Sequence, residues 1–228
     1  MRLTVTTFTS LDGVMQGPGG RDEDRSNGFG LGGWVVPFVD GEFGEIVDDI
    51  FSRAGEILLG RTTYETFYPY WSKLAGSDDI VANRLNNLPK HVATNSREVL
   101  EWKNSRVISG DVAAEIRRLK ERPGGELQVH GSHGLIQMLL EEELVDAVNL
   151  LIFPVVLGEG KRLFDRGTVP TSLKLASSRV TGTGVIAATY EPTGTFEQGD
   201  FAIADGEVVV NQPGQPSPDD APARRGSR

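Results

Sequence analysis

The stretch Glu56-Ile57-Leu58-Leu59-Gly60-Arg61-Thr62-Thr63 contains the change of periodicity on which our fold assignment depends. Residues 56–59 are predicted to form a short buried strand, and a short helix is predicted around residues 63–68. Gly60 separates the two elements, as glycine does at many turns. A buried strand that leads through such a turn into a helix is typical of a sheet covered by helices. The stretch therefore predicts an α/β protein.

The segments on either side continue this alternation of strand and helix. Residues 3–9 alternate as an opening strand with both faces partly buried, and Asp40 is placed to cap the helix that follows. The apolar residues of that helix fall at helical spacing at Phe43, Ile46, Val47, Ile50, Phe51 and Ala54. Further strands are predicted at 91–94, 106–108 and 127–130, with helices after Asp111 and over 135–142.

The C-terminal part of the pattern is different. Residues 147–156 and 185–190 have the composition of long strands, and no helix is predicted between them. This favours antiparallel pairing at one edge of the sheet. The sum is an α/β fold with three layers, α/β/α, whose central sheet is mostly parallel and has antiparallel C-terminal strands.

The composition changes again near the C-terminus. Asp205-Gly206, flanked by 201–204 and 207–210, is a strong signal for a two-residue hairpin turn because such turns need positive φ. The last residues are rich in Gly, Pro, Asp and Ser and lack the apolar surface needed for order. We therefore predict one domain over 1–191, an appended β-hairpin over 192–211 and a disordered tail over 212–228.

Composition excludes several classes of function. The 228 residues include no cysteine, which excludes disulfides, thiol nucleophiles and thiolate zinc sites, and no metal site is predicted. The net charge of −9 opposes nucleic-acid binding, which depends on Lys and Arg. No apolar run approaches the ~20 residues that cross a bilayer, and no secretory signal follows Met1. We expect a cytoplasmic protein without membrane or nucleic-acid partners.

Three junctions between a predicted strand and the next turn resemble one another. They are Leu59-Gly60-Arg61-Thr62-Thr63, Ala93-Thr94-Asn95-Ser96-Arg97 and His130-Gly131-Ser132-His133-Gly134. Ligands of open α/β sheets bind at the carboxyl ends of the strands, where helix N-termini and glycines accommodate phosphates. One such junction alone is more often ordinary turn chemistry, but three together favour a ligand with several phosphates. Arg61 and Arg97 are either surface arginines or ligands of a 2′-phosphate.

A glycine-rich segment runs from Asp12 to Gly44. Unstructured segments longer than ~12–15 residues are usually functional loops or disorder. Trp34 and Val35 argue against disorder at its end, so we favour an active-site loop that closes over a cofactor.

The order of several motifs resembles a known family. They are Ser10-Leu11-Asp12-Gly13, Leu58-Leu59-Gly60-Arg61-Thr62-Thr63-Tyr64-Glu65, Gly131-Ser132-x-Gly134-Leu135, Leu144-Val145-Asp146 and Pro154-Val155-Val156-Leu157-Gly158-Glu159-Gly160-Lys161-x-Leu163-Phe164. The string resembles the C-terminal reductase domain of the bifunctional riboflavin-biosynthesis deaminase/reductase, in the stand-alone branch of the dihydrofolate-reductase-like superfamily. The resemblance covers residues 1 to about 190.

This resemblance implies an NADPH-dependent reductase similar to 5-amino-6-(5-phosphoribosylamino)uracil reductase. Hydride would pass to a small heterocyclic or sugar-imine substrate, and the protein would be a homodimer. The implied cofactor residues are Gly60, Arg61, Thr62, Thr63, Ser96, Arg97, Gly131, Ser132, Gly134 and Leu135. Asp12 and Glu159 are the implied substrate-side, catalytic candidates. The deaminase half would need a zinc signature with cysteines, which the chain lacks.

Several alternatives remain open in the sequence. Asp12 is as well suited to capping its turn as to contacting substrate, Glu159 faces either solvent or a ligand, and His130 is more typical of a core histidine. The alternative functions are a non-catalytic NADPH-binding module, a structural subunit that uses its exposed antiparallel edge, and a dihydrofolate or other pterin reductase. In dihydrofolate reductases an acidic residue after the mobile loop holds the pterin. The corresponding position in this chain falls near Gly44, beside Glu45, and this disfavours folate as the substrate.

Overall fold

The structure, a computed structural model, describes residues 1–96, 99–165, 168–204 and 206–211. The strands are β1 (Leu3–Ser10), β2 (Ala54–Gly60), β3 (Lys90–Ala93), β4 (Ser105–Ile108), β5 (Glu126–His130), β6 (Ala147–Phe153), β7 (Thr171–Val180), β8 (Ile186–Thr195), β9 (Asp200–Ala204) and β10 (Glu207–Asn211). The helices are α1 (Gly41–Ser52), α2 (Arg61–Trp71), α3 (Ile80–Asn87), α4 (Val112–Glu121) and α5 (His133–Glu141). Short 3-10 turns lie at Ser26–Gly28, Val36–Phe38 and Ser72–Leu74.

Strands β1 to β8 form one sheet in the order β4-β3-β2-β5-β1-β6-β8-β7. The strands from β4 to β6 pair in parallel, whereas β6 and β8 pair antiparallel. This confirms the predicted fold class. Three strands differ most from the prediction. β6 ends at Phe153 because Pro154 has no N–H for the ladder, and β7 was not predicted at all. β8 continues to Thr195, past the predicted strand end at 190 and the predicted domain end at 191.

Apolar side chains cover both faces of the sheet, which makes three layers. On one face, Ile116 of α4 and Leu139 of α5 pack with Val5 and Val129. On the other face, α1 packs on β6, and Phe153 lies at the centre of four edge-to-face ring contacts. Such pairs add to the free energy of simple burial. This packing fixes the strand ends relative to the helix starts.

Side-chain caps begin three of the helices. The carboxylate of Asp40 accepts from the N–H of Phe43 at 2.7 Å, and that of Asp111 accepts from Ala114 at 2.9 Å, as predicted. Asp79 caps α3, a helix that the sequence analysis missed. None of the described helices has the length and apolar composition to cross a bilayer.

At the C-terminus, β9 and β10 pair antiparallel, with Ala204 opposite Glu207. Their separate sheet lies where we expected an appended hairpin. Asp205 of the predicted turn and the tail over 212–228 lie outside the described residues. The division into domain, hairpin and tail stays a prediction.

Candidate active site

A cavity of about 1420 Å³ lies at the carboxyl ends of β2, β3 and β5. Residues 60–63, 93–95 and 130–134, which belong to the three predicted junctions, line it together with Leu135. Typical small-molecule sites occupy ~300–1,000 Å³, so this cavity has room for a dinucleotide and a second ligand. Ser96 is not among the described lining residues, and Arg97 lies outside the described part of the chain.

Helices α2 and α5 begin at the wall of this cavity. Gly60 precedes α2 and Ser132 precedes α5, and neither helix has a side-chain cap. Gly131 and Ser132 have φ values of 76° and 67°, so the chain turns sharply through two left-handed residues before α5. Uncapped helix starts present unpaired N–H groups and a partial positive charge. The two helix starts are therefore suited to an anionic ligand.

Ser132 connects the first and third junctions. Its hydroxyl oxygen accepts from the backbone N–H of Gly60 at 2.9 Å and forms a second hydrogen bond with the Thr63 hydroxyl. A Cβ atom on Gly60 would lie 2.5 Å from that oxygen. Glycine at position 60 is thus required for the close approach of the two junctions, whatever else it contacts.

Arg61 lines the cavity from the first turn of α2. Its Nε donates to Glu65 at 2.6 Å, and the guanidinium lies 5.8 Å from the centre of the Tyr64 ring. These contacts hold a cation at the cavity wall, where a phosphate would meet it.

The glycine-rich segment is folded over the same cavity, and residues 15–20 contribute to its lining. Trp34 is buried, and its indole N–H donates to the carbonyl of Gln16 at 2.9 Å. The side chain of Lys161 pairs with Asp24 at 2.7 Å and ties the segment to the loop after β6. These contacts agree with the expectation of an ordered segment.

Glu23 is a cavity residue that the sequence analysis missed. Burial raises the pKa of its carboxyl group, although the backbone N–H groups of Gly19 and Gly20 donate to it and oppose the shift. It stands in no motif, and its place depends on the path of the glycine-rich segment. Asp24 and Lys161 also line the cavity, and neither was predicted as a site residue, although Lys161 belongs to the last of the family motifs.

Asp12 and Glu159, the two substrate-side candidates, are not among the described lining residues. Asp12 accepts hydrogen bonds from the Ser10 hydroxyl at 2.6 Å and from the N–H of Gly158 at 2.8 Å. It thus performs the turn-capping role that the sequence left open. Glu159 is exposed in the loop after β6.

His130 is buried at the end of β5 and lines the cavity. Its ring stacks on Phe51 with 4.2 Å between centroids, and burial lowers its pKa to about 3. It is therefore a neutral histidine with satisfied packing, as expected for a core position, but the cavity also reaches it.

Solved structures with the same architecture include three informative neighbours. A Shewanella sp. PV-4 protein with a provisional riboflavin-biosynthesis name matches with a TM-score of 0.60 and 22% identity, over 85% of this chain and 100% of that one. A second neighbour is the Thermotoga maritima diaminohydroxyphosphoribosylaminopyrimidine deaminase/5-amino-6-(5-phosphoribosylamino)uracil reductase. Its TM-score is 0.56 and its sequence identity 17%, and the match covers 84% of this chain and 56% of that one. The third is Enterococcus faecalis dihydrofolate reductase complexed with NADP(H). Its TM-score is 0.55 and its sequence identity 12%, and the match covers 85% of this chain and 97% of that one.

These likenesses confirm the dihydrofolate-reductase-like fold. The family assignment rests on sequence instead, because the model of the RibD C-terminal domain matches residues 2–187. That span covers β1 to the start of β8 and therefore includes every described residue that lines the cavity. The resemblance noted in the sequence is confirmed, and the chain belongs to the RibD C-terminal domain family.

Proposed function

We propose that this member of a reductase family uses NADPH to reduce a small heterocyclic or sugar-imine substrate. The observation that carries the proposal is the meeting of three strand ends and two uncapped helix starts in one cavity. Dinucleotides bind α/β sheets at such an edge. The NADP(H) named for the Enterococcus faecalis neighbour supports the same cofactor class.

The residues of the cavity fit such a cofactor. Residues 60–63 and 131–135 would hold its phosphates through backbone N–H groups and hydroxyls. A Cβ on Gly134 would meet no atom within 4 Å, so the start of α5 is open to a ligand. Arg61 is the described cation suited to the 2′-phosphate. Arg97 would be its second ligand if the prediction from the sequence holds.

The wall formed by α1 favours a substrate other than a pterin. Phe43, Val47 and Phe51 are the α1 residues that line the cavity, and all three are apolar. Glu45 is exposed and pairs with Arg179 at 3.4 Å. In dihydrofolate reductases, which the chain resembles in fold, an acidic residue of the corresponding helix holds the pterin. The activity named for the Thermotoga maritima enzyme supports a ribosylaminopyrimidine instead.

Bound NADPH supplies the hydride, and the chain supplies position and a proton. The glycine-rich segment would exclude water, since its residues 15–20 lie over the cavity. Glu23 is the described carboxyl group best suited to carry a proton, because burial makes it easier to protonate than an ordinary glutamate. Substrate-side roles for Asp12 and Glu159 remain predictions.

The family resemblance also suggests a cytoplasmic homodimer. Of the two edge strands of the eight-stranded sheet, β7 is the longer and is exposed along most of its length. Long exposed edges are typical places for strand pairing or packing between chains.

Titration of the purified protein with NADPH and NADH tests the proposal. We expect NADPH to bind more tightly, and Arg61→Ala to weaken NADPH by about tenfold and NADH by less, because it removes a charge-assisted contact to phosphate. Arg118→Ala is the control, since Arg118 is an exposed arginine of α4 outside the cavity.

Equal losses for both dinucleotides would remove the 2′-phosphate assignment. Failure of the unmodified protein to bind NADPH or NADH would refute the reductase proposal. If NADPH binds but a panel of pyrimidine, pterin and carbonyl compounds never oxidises it, the non-catalytic binding module is the correct reading.

A further inference from the structure

A row of four polar side chains crosses the sheet beneath α1. His130 on β5 stands opposite Thr6 on β1, Thr6 opposite Asn149 on β6, and Asn149 opposite Thr189 on β8. The first three residues are no more than 7% exposed. Buried polar groups normally find hydrogen-bond partners, so the direction of each bond along this row can be assigned.

The bonds from β8 towards β1 leave a donor at Thr6. The Thr189 hydroxyl donates to the Asn149 carbonyl oxygen at 2.9 Å, which orients the amide. The Asn149 amide nitrogen then donates to the Thr6 hydroxyl oxygen at 3.1 Å. Because Thr6 accepts this bond, its own proton points elsewhere, and no described residue accepts it. Thr6 lines the cavity.

A second chain of bonds leaves an acceptor at His130. The Gln128 amide nitrogen donates to the carbonyl oxygen of Ile50 and to the carboxylate of Glu126, both at 2.7 Å. Its oxygen therefore faces Nε2 of His130, 3.1 Å away. Nε2 must carry the ring proton to make this bond.

A neutral ring protonated at Nε2 has its lone pair on Nδ1. No described residue donates to Nδ1, and burial keeps the ring uncharged by lowering its pKa to about 3. The two chains of bonds thus end at neighbouring strands of the cavity, with a donor on Thr6 and an acceptor on His130.

We propose that Thr6 and His130 form a recognition pair for an amide edge, a carbonyl and an N–H side by side on the bound ligand. The carbonyl would accept from the Thr6 hydroxyl, and the N–H would donate to Nδ1 of His130. Neighbouring strands are about 4.8 Å apart, which two convergent side chains can span around one such edge. The proposal rests on the proposed function, since it assumes a heterocyclic ligand in this cavity.

Two ligands offer this chemistry: the lactam of a pyrimidine substrate and the carboxamide of the nicotinamide. Matched probes separate them. One pair is NADP⁺ and its 3-acetylpyridine analogue, which lacks the carboxamide N–H. The other pair is uracil and 1,3-dimethyluracil, measured with saturating NADP⁺. Calorimetry with the 228-residue protein gives all four affinities.

We expect the unmodified protein to prefer the N–H-bearing member of one pair by about tenfold, as for one buried hydrogen bond. Preference within the dinucleotide pair identifies the carboxamide, and preference within the uracil pair identifies the substrate. His130→Phe should remove most of that preference, and phenylalanine retains the stacking on Phe51. Thr6→Val should instead weaken both members of that pair by a similar factor, because both keep the carbonyl that Thr6 would contact. Thr4→Val is the matched control, because Thr4 is a buried threonine of β1 outside this cavity.

A preference that survives His130→Phe, or affinities that Thr6→Val leaves unchanged, would overturn the recognition pair while leaving NADPH binding intact. Absence of binding by any dinucleotide would instead overturn the reductase proposal together with this one. Nitrogen-15 NMR of His130 in the ligand-free protein is an independent test, in which we expect protonated Nε2 and bare Nδ1. A ring protonated at Nδ1, or a charged ring at neutral pH, would refute the assignment without any ligand.

Discussion

At Asp12 a single carboxylate holds together the turn after β1 and the loop after β6. It accepts from the Ser10 hydroxyl and from the N–H groups of Leu157 and Gly158, and it pairs with Arg162 at 3.2 Å. The bond from Ser10, helped by the two backbone donors, keeps the pKa of Asp12 well below its ordinary value although burial opposes the shift. The ionised carboxylate is therefore part of the folded structure.

We expect Asp12→Asn to lower the free energy of unfolding at neutral pH. The side chain is 22% exposed, so solvent screening limits the loss to about 1 kcal/mol. Because the folded-state pKa is depressed, this stability exists above the unfolded pKa of about 3.9 and declines as the pH falls further towards the folded value. Urea denaturation of both proteins at pH steps from neutral to strongly acidic measures the difference.

Asp48→Asn, at a half-buried position of α1, is the control and should change the free energy of unfolding by less than about 0.5 kcal/mol. An Asp12 effect that is absent at neutral pH, or that grows as the solution is acidified, would contradict this account.

At the scale of elements, the β2–α2 and β5–α5 junctions form one unit because Ser132 lies against Gly60. A Cβ at position 60 would be 2.5 Å from the hydroxyl oxygen of Ser132 and 2.7 Å from its Cβ. Both contacts are far closer than van der Waals packing allows, so the two helix starts would have to move apart.

We therefore expect Gly60→Ala to destabilise the protein by about 1–3 kcal/mol. The loss should be smaller by about 1 kcal/mol in a Ser132→Gly background, since that substitution removes both clashing atoms and suits the left-handed φ of 67°. Urea unfolding of the four proteins of this double-mutant cycle measures the coupling.

Gly134→Ala provides the reference, because a Cβ there meets no atom within 4 Å and alanine favours a helix. It should leave stability unchanged or slightly raised. Additive effects of the substitutions at 60 and 132 would show that the two junctions are not coupled in this way.

For the whole molecule, the two edges of the sheet differ in how much surface they offer. The ten-residue strand β7 forms one edge, and Leu175 there is 50% exposed. The four-residue strand β4 forms the other, with Val107 at 42%. Stable interfaces bury about 1,200–2,000 Å² in total, which a long strand supplies more readily than a short one.

If the homodimer forms through β7, Leu175→Lys should convert it to a monomer, because a lysine ammonium on a packed edge must lose its hydration. Light scattering coupled to gel filtration measures the mass, and NADPH titration checks that the cofactor cavity is intact. Val107→Lys is the matched control on the opposite edge. Dissociation by Val107→Lys alone would move the interface to β4, and a monomeric unmodified protein would refute the dimer.

The alternation of strand and helix, the antiparallel C-terminal strands and the three strand-to-turn junctions could all be predicted from local patterns. Burial imposes a period on each element, and glycine marks the turns that require it. Two elements were not predicted from the sequence, for the same reason. Helix α3 has only eight residues, and β7 has almost no buried face, so neither shows a sustained apolar period.

The position of the site at the sheet edge could be predicted from the sequence, but most of the side chains that line it could not. The junctions share a cavity because parallel strands end at the same edge, which is a property of the topology. That Asp12 caps a turn, that Glu23 lies in the cavity and that Thr6 faces the same cavity as His130 depend on residues distant in the chain. Only folding brings such partners together, since burial, charge and hydrogen-bond direction are set by neighbours in space and not by neighbours in sequence.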